Sequence, residues 1–204
     1  MTDPALEQAP ARFAIACFGS RGSFGAEAAE RLRAERYPGA VLVMAATPEE
    51  ALALLARGAV ERAVVPVANS SAGLVADTLA ALGGRRLVLD GELVLPVRIT
   101  LWVRDARVAP GAIRSVASHP HALAQCRRTL GRLLGAHAER AWRDTAAAAS
   151  ALALGELGPE TAVLASRAAG AAAGLHALQH DVQDAPDNRT FFAVLRRPAG
   201  NAVE

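Results

Sequence analysis

Short apolar runs alternate along this chain with longer stretches in which Ala and Leu are interspersed with Glu and Arg. The runs at residues 12–18, 41–44, 63–67, 113–117, 161–165 and 190–196 are too short for helices, and several are rich in Val, Ile or Phe. They predict strands. Residues 141–143 read as a further strand, and 86–89 and 92–103 as extended segments. The intervening stretches predict helices over 24–37, 74–82, 118–134, 145–154 and 167–173. Another starts at Thr47-Pro48-Glu49-Glu50, where Thr supplies an N-cap, Pro the first turn and Glu50 the return bond of a capping box; Gly58 closes it. Strands alternating with helices argue for a mostly parallel α/β architecture. Polar loops recur just after strand ends, at residues 19–23, 69–71, 118–121, 144–145 and 166, where open α/β sheets bind ligands.

Composition narrows the chemistry. With 204 residues, 52% hydrophobic and 21% charged, the chain has the makings of a folded protein with one substantial core or two small lobes. The longest apolar runs fall far short of the roughly 20 residues that span a bilayer. The first eleven residues carry Asp3 and Glu7 and lack a basic cluster followed by an apolar stretch, so they predict a loose leader and a cytoplasmic protein. All 22 basic residues are arginine. Without lysine there is no Schiff base and no Walker A loop. A net charge of +2, with its cations scattered, disfavours nucleic acid. Cys17 and Cys126 form no disulfide framework and predict buried thiols. His119 and His121 lack a nearby third ligand, and no metal or organic cofactor is expected.

Each polar loop alone reads two ways. Gly19-Ser20-Arg21-Gly22-Ser23 is either an anion-binding nest or a strand–helix turn. Asn69-Ser70-Ser71 is a helix N-cap, a ligand-binding helix start, or both. Their order and wording carry more. Gly19–Phe24 resembles a G-P-x-G-T-F opening loop, and Val65-Pro66-Val67-Ala68-Asn69-Ser70-Ser71-Ala72-Gly73 a V-P-I-E-N-S-x-x-G segment. Gly91-Glu92 with Leu95-Pro96-Val97 looks like G-E…L-P-I. Ser118-His119-Pro120-His121-Ala122-Leu123-Ala124-Gln125-Cys126 is very close to S-H-P-Q-A-L-A-Q-C. Asp144-Thr145-Ala146 is similar to an S-T-A helix start, and Gln183-Asp184 with Asn188 and Thr190 resembles a closing Q-D…N-x-T-R-F block. Over about residues 12–196, in this order, the chain resembles the catalytic domain of the prephenate dehydratase family.

That resemblance implies a two-lobed, periplasmic-binding-protein-like (type II) α/β fold with mostly parallel sheets and an interlobe cleft. Lobe 1 is expected over about residues 12–95 plus 185–197 and lobe 2 over 96–184, with a tail at 198–204. It implies a small dianionic substrate, prephenate or arogenate, and a homodimer or larger homo-oligomer without nucleic acid or membrane partners. Ser23, Asn69, Ser70, Ser118, His119, Thr145, Ser166 and Arg189 are the expected substrate-binding residues, with Thr190 and Asn188 catalytic. In the family reaction the ring loses CO2 and its C4 hydroxyl. Thr190 matches the threonine placed at the leaving hydroxyl, as an oriented donor of the kind worth ~2.7–4 kcal/mol. Three departures bear on this. Ala68 replaces an acid, Ile99 stands at a histidine position, and Phe191 replaces the arginine of T-R-F. Arg189 reaches the cleft as a substitute only if the backbone there is bulged, because adjacent strand residues face opposite ways. The implied activity is decarboxylative dehydration to phenylpyruvate; the alternatives are a non-aromatising prephenate decarboxylase and a prephenate-binding relative of weak activity.

Overall fold

The computed structural model describes residues 13–199; the expected leader (1–11) and most of the expected tail lie outside them. Two sheets organise the chain. The first contains β1 (Ala14–Phe18), β2 (Val41–Ala45), β3 (Arg62–Asn69), the two-residue β4 (Gly73–Leu74), β5 (Val88–Pro96) and β11 (Arg189–Arg196), in the order β2-β1-β3-β11-β5 with β4 beside β3. The second contains β6 (Thr100–Val103), β7 (Ser115–Ser118), β8 (Ala138–Ala141), β9 (Thr161–Ala165) and β10 (His176–Gln179), in the order β10-β6-β9-β7-β8. β1, β2 and β3 are parallel to one another, as are β7, β8 and β9, while β11 and β6 run antiparallel to their neighbours. Most strands in each sheet therefore share one direction, in a two-lobed α/β arrangement.

Side-chain alternation explains why each sheet is covered on both faces. Ile15, Cys17, Val64, Phe192 and Val194 pack under α1 (Phe24–Arg36) against Ala28, Ala29 and Leu32. Their neighbours Ala16, Ala63, Val65, Ala193 and Leu195 meet α2 (Pro48–Ala56) and α3 (Ala76–Leu82) on the other face. In lobe 2, Leu101, Val116, Ala162 and Leu164 pack on α4 (Pro120–Leu134). Trp102, Ala117, Val163 and Ala165 pack on α5 (Thr145–Ala153) and α6 (Arg167–Ala172). Both cysteines are buried in these cores, and burial, with Glu30 nearby, pushes the Cys17 thiol up to about 12.

Two crossovers join the lobes, residues 97–99 and 180–188, and they are zipped side by side. The Val182 N–H donates to Ile99 O (2.9 Å), the Ile99 N–H to Gln183 Oε1 (2.9 Å), and the Val97 N–H to Asn188 O (2.8 Å). Phe24, at the start of α1, packs against the cores of both lobes. Gly25 beside it has no room for a side chain, since a Cβ there would lie 2.0 Å from Phe18 O.

Four local expectations need correction. Residues 69–71 do not start a helix. Asn69 ends β3 and its Oδ1 accepts the Ser71 and Ala72 N–H groups (2.9 and 3.1 Å), turning the chain into β4, and α3 begins later after Val75. The strand expected at 141–143 lies earlier, at β8, where it pairs with β7 from Ser115↔Ala138 onward. β10 was not foreseen, because His176-Ala177-Leu178-Gln179 is too short and too polar to signal a strand alone. The bulge that would turn Arg189 into the cleft is not in β11 but in β3, where Val67 is the extra residue between the pairs Phe191↔Ala68 and Phe192↔Pro66, so β11 keeps its alternation there.

Candidate active site in the interlobe cleft

Between the lobes lies a cavity of about 390 Å³, within the range that holds a small organic ligand. Its walls are largely apolar, with Phe18, Phe24, Val97, Ile99, Pro66 and Phe192 among them. The Val67 bulge brings Pro66 and Asn69, three positions apart, to the same cavity. On that apolar ground, three polar side chains from three elements converge. Asn69 is clamped at both ends of its amide. Its Oδ1 accepts from Gln125 Nε2 of α4 (3.3 Å) as well as from the two turn N–H groups, which fixes Nδ2 as the donor to Thr190 Oγ1 at 3.0 Å. Thr190 pairs with Asn69 across the β3–β11 ladder and lines the cavity. Because its oxygen receives the Asn69 amide proton, the Thr190 O–H is left to donate.

His119 and His121 bring the imidazoles of the α4 start to the same cavity. The His121 N–H donates to His119 Nδ1 at 3.2 Å, so neutral His119 carries its proton on Nε2. Burial, with the neighbouring His121, holds His119 below the ordinary histidine value, against the opposing pull of Asp144 and Asp77. The other titratable groups lining the cavity are those same two carboxylates; among the described residues no guanidinium lines it. Among the described residues no three His, Cys, Asp or Glu side chains come together as metal ligands.

The remaining expected residues are used differently. Ser23, although it lines the cavity, caps α1 by accepting from the Ala26 N–H (3.2 Å). Thr145 lines the cavity at the start of α5. Ser118 is wholly buried inside lobe 2 and donates to Leu164 O (2.8 Å), so it does not line the cleft. Ser166 caps α6 through the Ala169 N–H (3.0 Å) and donates to Gly22 O of the other lobe (2.8 Å). Ser70 accepts from the Arg189 N–H (2.9 Å) and donates to Asn188 Oδ1 (3.4 Å), a bracket behind the cavity rather than in it. Asn188 is buried, and its Nδ2 has no hydrogen-bond partner among the described residues. Arg189 is exposed, and because β11 is not bulged there, its side chain shares the outward face of Phe191 and not the cleft face of Thr190.

Two residues of the cavity escaped the sequence reading. Gln125 and Asp77 both line it. Gln125 had a signal, being four residues after His121 and thus on the same helix face; Asp77 had none beyond its place in the first turn of α3. The departures from the family pattern now separate. Ala68 and Phe191 do not line the cavity, whereas Ile99 does and makes its wall more apolar.

A two-lobed α/β protein with a polar cluster in an apolar interlobe cleft is the class that fold and site define. A model of the prephenate dehydratase family matches residues 15–200. Over 185 residues the chain is 40% identical to a prephenate dehydratase of Amycolatopsis methanolica, covering 90% of this chain and 58% of that protein. It is 36% identical to arogenate dehydratase 2 of Petunia hybrida, covering 91% of this chain and 45% of that protein. The structure of a prephenate dehydratase from Arthrobacter aurescens in complex with L-Phe superposes with a TM-score of 0.81 at 27% identity, over 92% of this chain and 60% of that one. The chain belongs to the prephenate dehydratase family.

Proposed function

We propose that the chain is a lyase acting on prephenate, converting it to phenylpyruvate by decarboxylative dehydration. The carrying observation is the Asn69–Thr190 pair, which holds a hydroxyl with its oxygen already bonded and its proton free to donate in an apolar cleft. In the reaction the ring carboxylate leaves as CO2, and the electrons of that bond move through the diene to expel the C4 oxygen. Prephenate dianion plus one proton gives phenylpyruvate monoanion, CO2 and water. Thr190 donates a hydrogen bond to the departing oxygen. The bond it receives from Asn69 polarises its hydroxyl, since linked hydrogen bonds strengthen one another. Val97, Ile99, Phe24 and Phe192 surround the reacting ring with apolar surface, which favours a carboxylate that disperses its charge as CO2. His119, through its Nε2 proton, and Thr145 supply donors for the carboxylates.

Arginine loss at position 191 does not weaken the hydroxyl-expelling end, because that position faces outward. This favours dehydration over a decarboxylation that retains the hydroxyl. One observation supports a second substrate. Asp77 and Asp144, both lining the cleft, suit the ammonium that arogenate carries where prephenate has a keto oxygen. Incubation with each compound, followed by NMR of the products, tests the reading. Phenylpyruvate or phenylalanine supports it, a hydroxylated dihydro ring identifies the decarboxylase, and unchanged ligand removes the enzymatic reading.

A further inference from the structure

α4, continuous over Pro120–Leu134, is bonded in its middle by a residue from outside the helix. In an unbroken helix the Thr129 N–H donates to Gln125 O, four residues back. Asp184, from the crossover between β10 and β11, bonds both of these groups. The Asp184 N–H donates to Gln125 O at 2.7 Å, and its carboxylate accepts from the Thr129 N–H (2.8 Å), the Thr129 hydroxyl (2.8 Å) and the Arg128 N–H (3.0 Å). One residue thus holds the middle of α4 from outside, at Gln125 on one side and at Arg128 and Thr129 on the other. Only 13% of its side chain is exposed. Burial raises the Asp184 pKa, but the bonds from Arg128 and Thr129 outweigh it and keep the carboxylate ionised. Its neighbour Gln183 zips the two crossovers through the Ile99 N–H. The joint between the lobes is therefore attached directly to the helical turn whose side chain reaches across the cleft to Asn69.

We infer that Asp184 is a positioning residue: it fixes the turn carrying Gln125 to the interlobe joint, so that Gln125 and Asn69 hold Thr190 in register when the lobes meet. Its effect on turnover rests on the function proposed above, but the structural coupling does not. The test uses the full chain with Asp184→Ala, Asp184→Asn and Gln125→Ala. Asp184→Asn keeps one carboxamide oxygen for the helix N–H groups and serves as the conservative variant. In the folded Asp184→Ala protein, kcat falls at least tenfold with KM changed less than threefold, and Asp184→Asn recovers part of the loss. A purely structural residue would lower the melting temperature and leave kcat per folded enzyme intact, and that outcome overturns the inference.

A second measurement needs no substrate. Asp184→Ala and Gln125→Ala are combined in a double-mutant cycle read by urea unfolding, with hydrogen exchange at the Arg128 and Thr129 amides. Non-additive stability losses, with exchange at those amides accelerated at least tenfold, support the link. Additive losses with unchanged exchange overturn it. Should wild-type protein leave prephenate and arogenate untouched while the cycle is non-additive, the functional reading fails and the positioning role stands.

Discussion

Two groups of contacts join the lobes, and they spend their polar atoms in opposite ways. On one side, the loop at residues 19–23 is docked on the starts of α5 and α6. Ser20 Oγ donates to Asp144 Oδ1 (2.9 Å) while that same oxygen caps α5 at the Ala147 N–H (2.7 Å). Ser166 likewise caps α6 and bonds Gly22 O. Gly22 is at φ +83°, and a Cβ there would meet Ala169 at 3.0–3.1 Å. The two serine hydroxyls that cross this contact, Ser20 and Ser166, already have partners within the protein. On the other side, Asn69, Gln125 and Thr190 form a chain of bonds that ends on a hydroxyl proton with an apolar cavity in front of it. Serines at helix starts here close the molecule, whereas the hydroxyl left free to meet the leaving oxygen lies on a strand.

The sharpest way to break this comparison is to remove the one donor on the reactive side. Thr190→Val keeps the shape and branching of the side chain and deletes its hydroxyl. Loss of a donor aimed at developing charge costs about 10²–10³ in kcat. KM should change little, because the bond is made most strongly as the C4 oxygen leaves. Steady-state kinetics on prephenate checks this, and a kcat within tenfold of wild type would remove Thr190 from the chemistry. The docked side should answer differently. Gly22→Ala places a Cβ against Ala169 in a backbone conformation that suits glycine, so stability should fall by about 1–3 kcal/mol in urea unfolding. Its signature in kinetics is a raised KM with a smaller change in kcat, because the loop carries no reacting group. A protein of unchanged stability would show that the loop is not clamped.

How far the residues announced this outcome differs between the two sides. The strand and helix alternation was legible because each element buries its own apolar set: Ile15 and Cys17 one way, Ala16 the other. The capping role of Thr47 was equally legible, being local, and its Oγ1 accepts the Glu50 N–H as its spacing predicts. Ser118 and Ser166 were legible only as polar residues after strands. Whether such a hydroxyl faces a ligand or a carbonyl depends on residues distant in sequence, Leu164 for Ser118 and Gly22 of the other lobe for Ser166, which no local pattern encodes. Gln125 was hidden for a related reason. Helical periodicity placed it on the face of His121, but its partner Asn69 lies 56 residues away. Asp184 was less visible still, since nothing in a turn-rich stretch shows that it will enter a helix 55 residues earlier.

A smaller effect separates the histidines from the hydroxyls. His119 is held neutral at the α4 start, with a pKa below its unfolded value of about 6.5. A group depressed in the folded state binds fewer protons there than in the unfolded chain. Its contribution to stability is therefore present above the unfolded value and is lost as pH falls through the folded one. Unfolding free energies measured from pH 8 downward should decline over that window. His119→Asn, which still caps a helix but does not titrate, should flatten the decline. An identical slope in the variant would assign it to other groups.

The least disruptive change sharpens the comparison from outside the cleft. Phe191→Arg restores the arginine of the family's closing block at the position where this chain carries an exposed aromatic ring. If that residue served the reaction from within the cavity, restoring it should raise turnover markedly. The register says otherwise. Thr190 and Phe192 line the cavity, and Phe191 between them points away. The extra residue of the bulge belongs to β3, so nothing rotates position 191 inward. The variant should therefore keep kcat and KM within about threefold of wild type, a shift below ~0.7 kcal/mol. It should also gain solubility, because a charged side chain replaces a ring that is 39% exposed. A tenfold rise in kcat would mean that position 191 reaches the substrate, and the assignment of Thr190 to the reacting face of β11 would then have to be reversed.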